Sequence, residues 1–182
     1  MSQDTDHSLR RVPRRVTPTL DLGGVRIGSD HPVRVQSMTN TDTRDARATL
    51  DQIESLARAG CEIVRLAVPD REAVRALRDI RSGTKVPLIA DIHFDHKLAL
   101  ASLEAGVDGL RINPGNIGAE QAVSRVVDAA KAAGTPIRIG VNSGSVERDI
   151  AKRHGGPVPE ALVESALRHV AMLEKRGLQD IK

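Results

Sequence analysis

Aromatic side chains are almost absent: the 182 residues contain no Trp, no Tyr and one Phe, Phe94. Without stacking platforms, single-stranded nucleic acid is a poor ligand. Cysteine is equally scarce. Cys61 alone excludes an internal disulfide and any zinc or iron–sulfur site built only from this chain's thiolates. A reducing cytoplasm is the expected compartment. No apolar run approaches the ~20 residues of a membrane helix, and the first residues carry no apolar core of a secretory signal. Charge of one sign is also missing, with 27 Lys and Arg against 24 Asp and Glu. Arg10, Arg11, Arg14 and Arg15, against Asp4 and Asp6, hold most of the excess, leaving 23 basic and 22 acidic residues beyond position 16. The pI near 9.4 therefore belongs to the first segment and is not the footprint of a nucleic-acid face. Residues 1–12 are expected to be a disordered tail.

What is present is a repeat. Short apolar runs at 33–37, 62–68, 86–92, 109–113, 136–141 and a truncated 179–182 are rich in Val, Ile and Leu, as strands buried on both faces require. Between them lie amphipathic stretches. Residues 45–59 set Ala46, Leu50, Ile53 and Ala57 on one stripe, and 160–176 do the same with Leu162, Ala166, Val170 and Leu173. Asp70 and Asp95 are placed to cap helices. Ala59-Gly60, Ala105-Gly106, Ala133-Gly134 and Arg176-Gly177 each end a helical stretch, where glycine suits the left-handed residue that turns the chain into the next strand. Alternating βα units without reversal predict parallel strands and right-handed crossovers. An open doubly wound sheet and a (β/α)8 barrel both fit. The first strand lacks a Gly-x-Gly-x-x-Gly turn, which favours the α/β TIM-type barrel. A full barrel takes about 250 residues, so five and a half units over 13–182 are expected to be the first part of a longer domain. By itself such a piece leaves an open strand edge and is expected to be poorly soluble. Residues 20–27, around Gly23-Gly24, predict a β-hairpin closing the barrel's bottom.

Counting from the helix-ending glycines, Arg65, Arg111 and Lys182 each follow by five residues and Arg138 by four. Four strands thus each bring one cation to a similar height inside apolar runs. The third supplies Asp91 and His93 instead. Burying like charges together costs several kcal/mol unless an anion compensates. Asp91 does not balance four cations, so a ligand with several negative charges, a diphosphate above all, is expected at the C-terminal strand ends. Asn113-Pro114-Gly115-Asn116-Ile117-Gly118 and Asn142-Ser143-Gly144-Ser145 offer backbone N–H groups to such an anion. Gln36-Ser37-Met38-Thr39-Asn40 adds polar groups at the same end. His93 beside Asp91 suits an acid or orienting role. His96, His154 and His169 are expected at the surface, Cys61 in the core, and residues 146–159 as either a lid or a solvated excursion. His93 and His96 find no further ligands to complete a metal site.

These residues also carry a resemblance. The runs Val35–Thr43 (VQSMTNTDT), Ile63-Val64-Arg65, Pro87–Asp95 (PLIADIHFD), Leu110–Gly118 (LRINPGNIG) and Pro136–Ser145 (PIRIGVNSGS) occur in order. Together they resemble the N-terminal barrel of the 4-hydroxy-3-methylbut-2-en-1-yl diphosphate synthase family, over about residues 12–182. The resemblance implies reductive ring opening of 2-C-methyl-D-erythritol 2,4-cyclodiphosphate to (E)-4-hydroxy-3-methylbut-2-enyl diphosphate in isoprenoid biosynthesis. It implies substrate contacts from Arg65, His93, Arg111, Asn113, Arg138, Asn142, Ser143 and Lys182, with Asp91 alongside. It also implies a [4Fe-4S] cluster, flavodoxin or ferredoxin as electron donor, and a homodimer. The family's cluster ligands, three cysteines and a glutamate in a separate C-terminal domain, have no counterpart here, so the chain alone is expected to bind substrate weakly without turnover. Two other readings stay open: a non-redox barrel transferase resembling dihydropteroate synthase, and a non-catalytic anion-binding module.

Overall fold

In the computed structural model of the chain, residues 14–113, 116–117 and 120–182 are described. The tail read over 1–12 lies outside them, as do Pro114, Gly115 and Gly118 of the fourth-strand loop. A hairpin of β1 (Leu20–Leu22) and β2 (Val25–Ile27) comes first, turning at Gly23 and Gly24. Five parallel strands follow: β3 (Gln36–Met38), β4 (Ile63–Ala67), β5 (Leu88–Ile92), β6 (Gly109–Ile112) and β7 (Ile137–Ile139). Their order in the sheet is their order in sequence. A doubly wound sheet reverses its strand order partway; this sheet does not, and it forms an arc of a (β/α) barrel. Ile181 continues it with a single parallel bridge to Ile137.

Helices α1 (Ala46–Arg58), α2 (Arg71–Gly83), α3 (His96–Glu104) and α4 (Glu120–Ala133) alternate with these strands, and α5 (Arg148–His154) and α6 (Pro159–Lys175) follow β7. The caps are those the sequence predicts: Asp70 accepts from the Glu72 and Ala73 amides and Asp95 from the Lys97 amide. Gly60, Gly106, Gly134 and Gly177 all take positive φ. The sheet's outer face, with Val64, Leu66, Leu88, Ala90, Leu110, Ile112 and Ile137, packs against the helices in the main core. Each fully buried Leu or Ile there contributes about 1.5–3 kcal/mol. Cys61 lies in this core, its Sγ donating to the Ile63 carbonyl at 3.1 Å.

Several expectations are corrected. The first barrel strand begins at Gln36, not residue 33. Val33 and Val35 are exposed, because β3 pairs on one side only and Val35 meets Glu62 and Ile63 through backbone bonds without side-chain cover. The buried stripe of α6 is Ala161, Ser165, His169 and Leu173, shared with the expected stripe only at Leu173. His169 is therefore no surface residue: it is 2% exposed, its Nε2 3.0 Å from Glu147 Oε1. A carboxylate delivered by the segment before α5 makes a buried imidazole tolerable there. His96 and His154 are half-buried. The stretch 146–159, read as either a lid or a solvated excursion, is largely exposed but ordered around a helix. Its helix α5 is clamped to α6, with Asp149 paired to Arg153 and Arg168, and Glu164 to Arg153 and His154.

Candidate functional site

Side chains alternate across a strand, so the paired register decides what shares the inner face. Met38 pairs with Arg65, Asp91 with Arg111, and Arg111 with Arg138. The lower inner face is apolar: Ile63 and Ile89 pack on Leu22 of the hairpin, with Val25 and Ile27 beside them. A Cβ at Gly109 would stand 2.9 Å from Leu22 Cδ1, so the hairpin closes the bottom against a bare backbone position.

Above this floor lies charge. Asp91 is 4% exposed. Its Oδ1 accepts from Arg111 Nη1 at 3.1 Å and lies 3.5 Å from His93 Nε2; Arg65 Nε is 3.4 Å from its Oδ2. Arg65 Nε also lies 3.3 Å from Met38 Sδ. Burial pushes the Arg138 guanidinium below its ordinary pKa; Arg65 and then Arg111 push it further down, and Asp91 opposes them. Burial, then Arg138, does the same to the Lys182 ammonium. Lys182 Nζ donates to Gln36 Oε1 at 3.3 Å, so a group beside β7 reaches across to β3 through the hollow of the arc.

Arg65 and Arg111 share one hollow, with Arg138 and Lys182 close behind it, but the cations do not stand at one height. Arg111 and Arg138 are level with Asp91, whereas Arg65 pairs with Ile89, one inward-facing position lower. Counting from the glycines misses this because barrel strands are staggered in register. The Arg65 side chain spans the difference.

A cavity of about 500 Å³ opens at the C-terminal strand ends, and Arg65, Asp91, His93, Arg111, Asn113 and Asn142 all line it. Asn113 is buried, while His93 is 53% exposed at the rim. Asn142 and Ser143 are exposed, and Ser145 Oγ accepts from the Asn142 amide at 3.2 Å to close a single 3-10 turn, Ser143–Ser145. Ser143, Arg138 and Lys182 lie outside the cavity lining, the two cations acting on it through their charge. Met38, from the polar cluster after the first strand, lines the cavity too, as does Phe94, to which the sequence analysis assigned no role at the site. So does Gly144. Among the described residues no group of three His, Cys, Asp or Glu is placed to hold a metal ion, and no helix is long and apolar enough to cross a membrane.

The chain is 60% identical over 171 residues to 4-hydroxy-3-methylbut-2-en-1-yl diphosphate synthase (flavodoxin) of Maridesulfovibrio salexigens, covering 94% of this chain and 48% of that one. It is 56% identical over 176 residues to the protein of the same name from Pseudomonas fluorescens, covering 97% and 48%. The chain thus spans about half the length of the curated relatives it matches. Among solved structures, dihydropteroate synthase of Xanthomonas albilineans superposes with a TM-score of 0.60 at 17% identity, over 90% of this chain and 63% of that one. At that identity the likeness shows a shared barrel fold and does not favour the transferase reading. The GcpE TIM-barrel domain matches residues 17–182, and by that match and these identities the chain belongs to the GcpE family.

Proposed function

We propose that the cavity binds the diphosphate of 2-C-methyl-D-erythritol 2,4-cyclodiphosphate, and that the protein serves its reductive opening to (E)-4-hydroxy-3-methylbut-2-enyl diphosphate. In that reaction two electrons and protons enter, a C–O bond to phosphate breaks, and a hydroxyl leaves as water. One observation carries the reading: among the described residues Asp91 is the only carboxylate paired with Arg65 and Arg111, while burial and neighbouring positive charge push the Arg138 and Lys182 pKa values down. A polyanion relieves that field. Arg65 and Arg111 grip phosphoryl oxygens, and guanidinium forks match them in two places. Asn113 and Asn142, with Ser143 beside them, donate further hydrogen bonds. Arg138 and Lys182 deepen the potential from behind. His93, at the rim and 3.5 Å from Asp91, is placed to hold a proton for the departing hydroxyl, with Asp91 orienting its ring.

A [4Fe-4S] cluster, fed by flavodoxin or ferredoxin, would supply the electrons. The residues of this chain do not fit it. Its one cysteine lies in the core outside the sheet, hydrogen-bonded to a backbone carbonyl. The work of these residues is binding and orientation. The cluster and the second copy of a homodimer belong to the proposal for the assembled enzyme.

Calorimetric titration with the cyclodiphosphate, and with pyrophosphate as a simpler probe, tests the reading. Arg111→Ala is expected to weaken both by about 1.5–3 kcal/mol, roughly 10- to 150-fold. Binding left unchanged in Arg111→Ala and Arg138→Ala would refute the assignment of the cavity.

A further inference from the structure

We infer that Gly140 is a positioning residue: its missing side chain provides the space in which the Arg111 guanidinium is held, aimed at the ligand. The inference rests on the cavity being a diphosphate site. On β7 and its continuation, the positions of one parity are Arg138, Gly140 and Asn142. Arg138 stands level with Arg111, and the Gly140 amide donates to the Ile112 carbonyl at 2.8 Å, so the pairing of β6 and β7 runs on through residue 140.

Gly140 is not among the glycines with positive φ. Its backbone suits any residue, so conformational freedom does not explain the glycine. Space does. A Cβ at 140 would overlap Arg111 Nε, Nη2 and Cζ. Asp91 is engaged by Nη1 on the same guanidinium. Arg111 is thus held between a carboxylate and a bare stretch of backbone, its planar head filling the diagonal position that a side chain at 140 would occupy. A methyl group there forces the head out of this position and so changes the direction in which the fork meets the ligand. Holding the fork in one direction before the ligand arrives removes an ordering cost from binding.

The experiment compares the wild type, G140A, R111K and G140A/R111K by pyrophosphate titration, thermal unfolding and the Nε–H resonance of Arg111 in ligand-free protein. G140A is expected to weaken pyrophosphate by about tenfold or more and to move the Arg111 resonance. R111K also weakens binding. The double variant should bind within about twofold of R111K, because a lysine has no planar fork to meet the new methyl group. G140A binding like wild type with an unmoved resonance, or losses that multiply in the double variant, overturn the inference. If G140A fails to fold, a double variant that folds and binds like R111K supports it, and one that also unfolds overturns it. A wild type that does not bind pyrophosphate refutes the reading of the cavity instead, and the ligand-free resonance still decides the role of Gly140.

Discussion

Replacing Asp91 with Asn should lower stability and raise anion affinity together. Asp91 is 5% exposed at its side chain, and two guanidinium groups approach within 3.1 and 3.4 Å. At an effective dielectric near 20, each pair has a gross attraction of about 5 kcal/mol. Much of it is offset by desolvation, and removing one partner of a buried pair costs a net 3–5 kcal/mol. The Arg side chains retain 17% and 24% exposure, so water screens them once the carboxylate is gone, and a loss of about 2–3 kcal/mol is expected. For a domain of this size that lowers Tm by roughly 4–12 °C. The same change removes the negative charge that, among the described residues, competes with a ligand for Arg65 and Arg111, while the Asn oxygen still accepts from Arg111 Nη1 and keeps the fork aimed, so pyrophosphate should bind D91N about tenfold more tightly. Pyrophosphate should also restore more Tm to D91N than to the wild type. Thermal unfolding at low salt, with and without pyrophosphate, reads both effects. Unchanged stability combined with weaker binding would refute the view that Asp91 compensates the cations, and would make it a ligand contact instead.

Two other outcomes follow from the packing. Leu22→Ala in the hairpin opens a void against Ile63 and Ile89; it should cost about 2–5 kcal/mol in urea unfolding, and a loss below about 1 kcal/mol would mean the hairpin does not seal the floor. His169 is held below its ordinary pKa of 6.5 by burial, with Arg168 acting the same way and Glu147 opposing. The folded state therefore keeps it neutral while the unfolded chain protonates near 6.5. Stability present above that pH is lost as pH falls below it, whereas Asp149 and Glu164, both lowered by ion pairs, act only below about 4.5. Between about pH 7.5 and 5 the wild-type urea midpoint should fall more than that of His169→Gln; equal falls in the two would count against the buried neutral imidazole.

The repeat was legible because it is written in local chemistry. Gly60, Gly106, Gly134 and Gly177 end helices where a left-handed residue is needed, and Asp70 and Asp95 begin them by accepting backbone N–H groups. Arg65, Arg111 and Arg138 were legible as well, because a charge inside a strand buried on both sides is anomalous wherever it occurs. His169 was not. The exposure of α6 depends on where α5 comes to rest, and that is set by Glu147 and Asp149 meeting His169 and Arg168 of α6, up to 22 positions away, and by Glu164 of α6 meeting Arg153 of α5. Gly140 escaped notice for a related reason: between Ile139 and Val141 it looks like any strand-end glycine, and its neighbour Arg111 arrives from another strand.

Sequence alone therefore determined the alternation of strand and helix, the parallel barrel class and the residues bearing the positive charge, since each depends on neighbours within a turn or a strand. Tertiary structure alone decided that Arg65 and Arg111 line one hollow with Arg138 and Lys182 behind it, that Arg65 sits a step below Arg111 and Arg138, and that a bare glycine makes room for a guanidinium. Those facts depend on the register between strand residues twenty or more positions apart, which hydrogen-bond pairing and barrel stagger set and local spacing does not record.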